Sequence, residues 1–203
     1  VRCQNKINKL NIQKRFKDEE KNFFKKNHIN DIPLFETVIF LRAVRPHKKN
    51  IIPEPPMFHR ETFYSNYSFM RHCVNIWIPV MNVNEKNTLK YIPKSHLIPD
   101  KKIKRRKINK KYVKVKRFSS GHKLGFFWAP KKIISGINLK KQRKINIPKN
   151  YYVLFSSMLV HGNAINYHNK IRFVIGFGYI PKSKMKRNQK FFFASKKAQF
   201  LSF

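Results

Sequence analysis

The stretch Pro56-Met57-Phe58-His59-Arg60-Glu61 decides how the rest of the chain is read. His59 and Glu61 both carry metal-ligand atoms. Two residues apart on an extended strand end, they point to the same side. A metal centre needs a third ligand. The candidate lies roughly a hundred residues on, at His161 in Leu159-Val160-His161-Gly162-Asn163. The pattern predicts a β-barrel that brings His59, Glu61 and His161 together at its mouth.

The acid content sharpens this choice. No acid occurs after Asp100, so a site carboxylate must come from Asp18, Glu19, Glu20, Asp31, Glu36, Glu54, Glu61, Glu85 or Asp100. Of these, only Glu61 has a His two residues away. The chain has 203 residues, long enough to bury a core as one domain. Hydrophobic residues make up 41%, with 19 Phe, which excludes disorder throughout. No apolar run is long enough to span a membrane, and no cleavage pattern follows an apolar start. The chain begins at Val1, which leaves a preceding segment open. Cys3 and Cys73 make no disulfide framework, and Cys73 reads as a small buried hydrophobe in a reducing cytoplasm.

Lys and Arg number 46 against 9 acids, a net charge of +37. One reading is an anionic partner: nucleic acid, a membrane surface or a phosphorylated substrate. The other is drift toward residues with A/T-rich codons, since Lys, Asn, Ile and Phe are all abundant; it is preferred here. The densest run, Lys101-Lys102-Ile103-Lys104-Arg105-Arg106-Lys107, lies in a basic insertion over residues 97–117. It lacks the interleaved aromatics of a single-strand binder and reads as a solvated insertion between strands.

The remaining segments supply the frame. Residues 1–30 carry Ile7, Leu10, Phe16, Phe23 and Phe24 at a loose helical period, predicting a peripheral helix on one sheet. Glu36–Val44 reads as one strand, with Arg42 either a solvated edge charge or a substrate contact. Residues 46–56 form a Pro-rich approach to the ligand pair. Met70–Val80 is a strand with Asn75 among bulky apolar neighbours; if that face lines the barrel, Asn75 needs a partner such as a cosubstrate or water. Thr88–Ile92 is a short strand. Tyr112–Lys116 alternates like another, and Gly121–Trp128 packs or covers the site. Tyr151–Val160 reads as a strand in phase with His161, broken by Gly162-Asn163. Asn166–Lys170 makes a hairpin connection to Ile171–Ile180, whose Arg172, Val174, Gly176 and Gly178 share one phase. The Phe-rich tail from Phe191 is expected to dock on the core.

Two histidines and a carboxylate on one face of an ion leave positions open, the arrangement of non-haem Fe(II) oxygenases. Zinc can use the same ligands, but the chain has no His-Glu-x-x-His, and the free acid needed as base is scarce, Glu54 being the only other carboxylate near the pair in sequence. Arg172 offers a bidentate guanidinium suited to the distal carboxylate of 2-oxoglutarate. His72, His96, His122 and His168 read as structural or surface histidines.

These motifs in order carry a family resemblance. Phe58-His59-Arg60-Glu61, Asn75-Ile76-Trp77-Ile78-Pro79-Val80, Leu89-Lys90-Tyr91-Ile92-Pro93-Lys94-Ser95-His96, Val160-His161-Gly162-Asn163-Ala164-Ile165-Asn166, Arg172-Phe173 and Phe192-Phe193-Ala194-Ser195 are the matching segments. Over residues 36–203 the chain resembles the phytanoyl-CoA dioxygenase superfamily of Fe(II)/2-oxoglutarate oxygenases. The nearest branch is that of streptomycin-type and carbohydrate biosynthesis. Glu61 stands where relatives more often have Asp, and Lys94 where they have Gly.

The resemblance implies a double-stranded β-helix, the jelly roll of cupin-like proteins, as one dioxygenase-like domain over 1–203. It implies Fe(II) on His59, Glu61 and His161, and 2-oxoglutarate on Arg172, with Asn75 beside it. The implied reaction couples decarboxylation of 2-oxoglutarate to succinate with dioxygen-dependent hydroxylation of a small metabolite, anionic or sugar-linked. A basic nucleic-acid-binding protein and a catalytically inactive relative of the dioxygenases stay as alternatives.

Overall fold

The computed structural model describes residues 34–36, 39–47, 58–63, 68–106 and 132–184, with residues 6, 7, 9–12, 14–16, 18 and 21 near the start. Ten strands are present among the described residues: β1 (Leu34–Glu36), β2 (Phe40–Val44), β3 (Val74–Met81), β4 (Leu89–Tyr91), β5 (Lys104–Arg106), β6 (Lys132–Ser135), β7 (Arg143–Lys144), β8 (Val153–Ser156), β9 (His161–Asn163) and β10 (Arg172–Pro181). Every pairing between them is antiparallel. The large sheet runs β1-β10-β3-β8, with β2 also on β10. A three-stranded sheet runs β7-β4-β9, and β5 pairs with β6 alone.

The pleat gives the large sheet two faces. Directly paired residues share a face, so Ile76, Ile175, Phe177 and Tyr179 form one and Trp77, Val174 and Gly176 the other. On the first face these side chains and Ile39 form a buried cluster covered by Ile7, Ile12 and Phe16. Residues 6, 7, 9, 12, 14–16, 18 and 21 are helical, and Phe16 meets Tyr152 and Phe177 edge-on. The expected helix thus packs on a sheet, each buried apolar side chain contributing roughly 2 kcal/mol. On the second face, Trp77 and Val174 pack against Leu89 of the small sheet. The two sheets therefore face each other, and the cavity lies between them.

Several expectations need correction. The single strand Glu36–Val44 is two short strands along one edge of β10: β1 pairs with its end and β2 with its start. The strand placed at Met70–Val80 begins only at Val74, after a 3₁₀ turn at Ser68–His72. The strand at Tyr151–Val160 ends at Ser156 in a tight turn, closed by the Leu159 N–H donating to the Ser156 carbonyl at 2.8 Å. Gly162 and Asn163 do not break a strand; with His161 they form β9 in the other sheet. His161 and Arg172 consequently share no hairpin, and residues 164–171 cross between sheets.

The basic segment is more than a solvated insertion in its described part. Ile103 and Ile133 of the β5–β6 region are buried with Ile92 and Val160, and Arg105 stacks on Phe63 at 4.1 Å. Lys94 adopts φ 59°, the left-handed region where glycine has no Cβ penalty. Residues 107–117, with the strand at Tyr112–Lys116, lie outside the described residues. So do residues 48–57, which hold most of the Pro-rich approach 46–56, together with Gly121–Trp128 and the Phe-rich tail. No helix among the described residues is long and apolar enough to cross a membrane.

Candidate metal centre

His59 is placed by backbone pairing. Its N–H donates to the His161 carbonyl and its carbonyl accepts from the His161 N–H, both at 2.9 Å, an isolated antiparallel bridge. Glu61 does not continue a strand as expected; it opens a 3₁₀ turn, Glu61–Phe63. Alternation survives the change. Arg60 points away from the cavity, fully buried, to Asp100 at 2.5 Å and to the Ser95 carbonyl. That leaves His59 and Glu61 on the cavity side. The Glu61 N–H donates to the Ser157 carbonyl at 3.1 Å. Buried Ser157 is held by its hydroxyl on the Met70 carbonyl and its N–H on the Cys73 carbonyl.

The three predicted ligands converge. Their ligand atoms all lie within 4.8 Å of one another. Glu61 Oε1 is 3.4 Å from His161 Nε2 and 3.8 Å from His59 Nε2. Donors bound at about 2.1 Å to one ion stand about 3–3.5 Å apart, so this spacing accepts an ion with small adjustment. His161 Nδ1 lies 2.9 Å from the Leu159 carbonyl. A carbonyl only accepts, so Nδ1 carries the proton. Burial lowers the pKa of this imidazole, with His59 adding to it against the pull of Glu61. With Nδ1 on the Leu159 carbonyl, Nε2 is the ring nitrogen that faces the Glu61 carboxylate. Burial alone would raise the Glu61 carboxyl, but the flanking His161 and His59 hold it well below the usual carboxylate range. One carboxylate oxygen set between two imidazole nitrogens at these distances is a donor set that a metal ion can use, so the residues fit one.

A cavity of about 120 Å³ contains all three. Phe40, Trp77, Leu89, Phe155 and Val174 supply its apolar wall, and Arg42 and Asn75 its polar side chains from the large sheet. Asn75 Nδ2 is buried with no partner among the described residues, while Oδ1 accepts weakly from the Cys73 thiol at 3.6 Å.

Arg172 differs in part. It is fully buried on the face of Val174 and Gly176, but does not itself line the cavity. One nitrogen, Nη1, donates to the Asn87 and Ala164 carbonyls, whereas Nε and Nη2 have no partner. Burial, then the charge of Arg42, lowers its pKa to about 10.

Sequence reasoning missed Asn163. It lines the cavity two residues beyond His161, with Oδ1 buried and unpaired. Its position in phase with His161 was the available signal. His72, His96 and His168 are exposed and away from the site.

No protein-family model matches the chain, and no curated protein does. Several solved structures are similar. The non-heme monooxygenase ThoJ has a TM-score of 0.49 and 13% identity, over 73% of this chain and 46% of its own. EvdO2 from Micromonospora carbonacea var. aurantiaca, complexed with 2-oxoglutarate, has a TM-score of 0.49 and 13% identity, over 73% of this chain and 52% of its own. The non-heme alpha ketoglutarate dependent epimerase SnoN from nogalamycin biosynthesis has a TM-score of 0.46 and 15% identity, over 73% of this chain and 49% of its own. The chain thus spans about half the length of these structures.

Proposed function

We propose that the protein is a cytoplasmic non-haem Fe(II)/2-oxoglutarate-dependent dioxygenase that hydroxylates a small metabolite. Its fold is read as a double-stranded β-helix of the phytanoyl-CoA dioxygenase superfamily, near the streptomycin-type and carbohydrate-biosynthesis branch. Residues 1–203 are read as one such domain, with 1–30 peripheral and 97–117 a basic insertion. The observation that carries the proposal is the convergence of His59, Glu61 and His161, whose ligand atoms lie within 4.8 Å of one another, with Glu61 Oε1 3.4 Å from His161 Nε2 and 3.8 Å from His59 Nε2.

His59, Glu61 and His161 would hold the iron, and three protein ligands leave further positions for cosubstrate and dioxygen. When bound, the metal and 2-oxoglutarate supply the oxidising chemistry, with the 2-oxo acid leaving as succinate and CO2. Each imidazole must present a bare nitrogen, and the Leu159 carbonyl keeps His161 in that tautomer. Arg172 would offer its unpaired Nε and Nη2 to the distal carboxylate of 2-oxoglutarate. Asn75 Nδ2 and Asn163 Oδ1 provide a donor and an acceptor that are otherwise unsatisfied. Trp77, Leu89, Phe155 and Val174 keep water from the reacting groups.

The test is succinate formation by purified protein given Fe(II) and 2-oxoglutarate, compared with His161→Ala. The wild type is expected to turn over cosubstrate and bind Co(II) with visible absorption bands, and the variant to lose both. Equal, metal-independent activity in the two proteins defeats the assignment.

A further inference from the structure

The cavity carries a cation that this mechanism leaves unused. In the β2–β10 ladder, Arg42 stands opposite Val174 and Val44 opposite Arg172. Opposed residues share a face, so Arg42 is the diagonal neighbour of Arg172 on the inner side of the large sheet. Arg42 lines the cavity with His59, Glu61 and His161, and its guanidinium lies over the Phe40 ring at 5.7 Å. The small sheet adds a third cation. Tyr91 pairs with both His161 and Arg143, which places Arg143 on the face of the metal ligand, one strand beyond Tyr91.

Among the described residues, none of these arginines is paired with a carboxylate. Glu61 belongs to the metal centre, and Asp100 is taken up by Arg60 and Arg71. Like charges on neighbouring strands repel unless an anion joins them. Arg172 is wholly buried and partly committed to carbonyls. Arg42 is exposed at the cavity, and the aromatic ring beneath it holds its fork ready.

We propose that Arg42 is a substrate-selecting residue, and that the cavity takes substrates bearing a carboxylate or phosphate group, which Arg42 binds beside the metal. This rests on the reading of the site as a 2-oxoglutarate oxygenase. A neutral analogue leaves Arg42 without its partner and loses the charge-assisted hydrogen bonds.

Isothermal titration calorimetry of the full chain tests it, with and without Mn(II) and 2-oxoglutarate. Phenyl phosphate and benzoate serve as anionic probes and benzyl alcohol as the neutral one. At about 150 mM salt, charges further than about 8 Å from a probe are screened. The wild type is expected to bind at least one anion and not the alcohol, and the tighter anion names the preferred group. Arg42→Gln is expected to weaken anion binding about tenfold or more, and Arg42→Lys by less. Lys140→Gln, an exposed cation elsewhere, is expected to leave it unchanged. Thermal melts establish that each variant is folded.

Failure of both anions to bind the wild type overturns the proposal, as does binding indifferent to Arg42→Gln or equally sensitive to Lys140→Gln. A matching loss of 2-oxoglutarate binding in Arg42→Gln assigns the guanidinium to the cosubstrate and also overturns it. Arg42-dependent anion binding in a protein that takes neither Mn(II) nor 2-oxoglutarate sinks the oxygenase reading and leaves the anion subsite standing.

Discussion

Replacing Arg172 with Met is expected to stabilise the metal-free protein and to abolish 2-oxoglutarate binding. The side chain is fully buried, and no carboxylate among the described residues pairs with it. Burial, with Arg42 adding to it, lowers its pKa from the ordinary arginine value to about 10, which corresponds to about 3 kcal/mol of unfavourable charge burial at neutral pH. Met keeps most of the apolar stem and removes the charge. It also strips the Asn87 and Ala164 carbonyls of a donor, a loss of about 1–2 kcal/mol. The net gain is about 1–2 kcal/mol, a rise in melting temperature of roughly 2–8 °C for a chain this long.

The sign with pH follows from the lowered value. Below pH 10 both states hold the proton and the burial penalty is complete. As pH rises through 10 toward the ordinary arginine value the folded state releases its proton first, so wild-type stability improves and the gap to Arg172→Met narrows. Thermal melts of both proteins at neutral pH and near pH 10.5 measure this, with calorimetry of 2-oxoglutarate and Mn(II) alongside. A variant that melts several degrees below wild type, or that still binds 2-oxoglutarate within about twofold, refutes the account of Arg172 as a strained, waiting guanidinium.

Asp100→Asn leaves Arg60 buried without its counter-ion, and urea unfolding is expected to show a loss of about 3 kcal/mol. At Gly178 an added Cβ meets the Val74 carbonyl at 2.8 Å and Cys73 Sγ at 2.9 Å, so Gly178→Ala is expected to destabilise by about 1–3 kcal/mol in the same assay. At Gly176 the nearest atom is the Ile76 carbonyl at 3.8 Å; Gly176→Ala should change stability by under about 1 kcal/mol while narrowing the cavity, read as weaker 2-oxoglutarate binding. Lys94→Gly relieves a left-handed backbone and is expected to raise the melting temperature by a few degrees, for about 0.5–1 kcal/mol.

The cluster of His59, Glu61 and His161 was legible because its chemistry is local and rare. Only one acid in the chain has a histidine two residues away, and the structure brings that pair to His161. The apolar runs behind β3 and β10 and the helical period of Ile7 and Phe16 were likewise visible, since periodicity reports which side of an element is buried. Sheet membership was not. His161 and Arg172 read as one hairpin, yet the intervening turn carries the chain from one sheet to the other, a choice made by partners far away in sequence. Arg42 stayed ambiguous for the same reason: only its register with Val174 distinguishes the cavity wall from an outer edge. The 3₁₀ turn at Glu61 was hidden because alternation directs the two ligands inward in either backbone form.

The reciprocal backbone bridge between His59 and His161 also bears on biogenesis. It joins segments roughly a hundred residues apart, so a growing chain has no complete chelate until β9 has emerged and docked. Under the proposed function, loading would be a late event, on a pocket whose backbone is already fastened, and the protein is expected to stay folded and reloadable after treatment with a chelator.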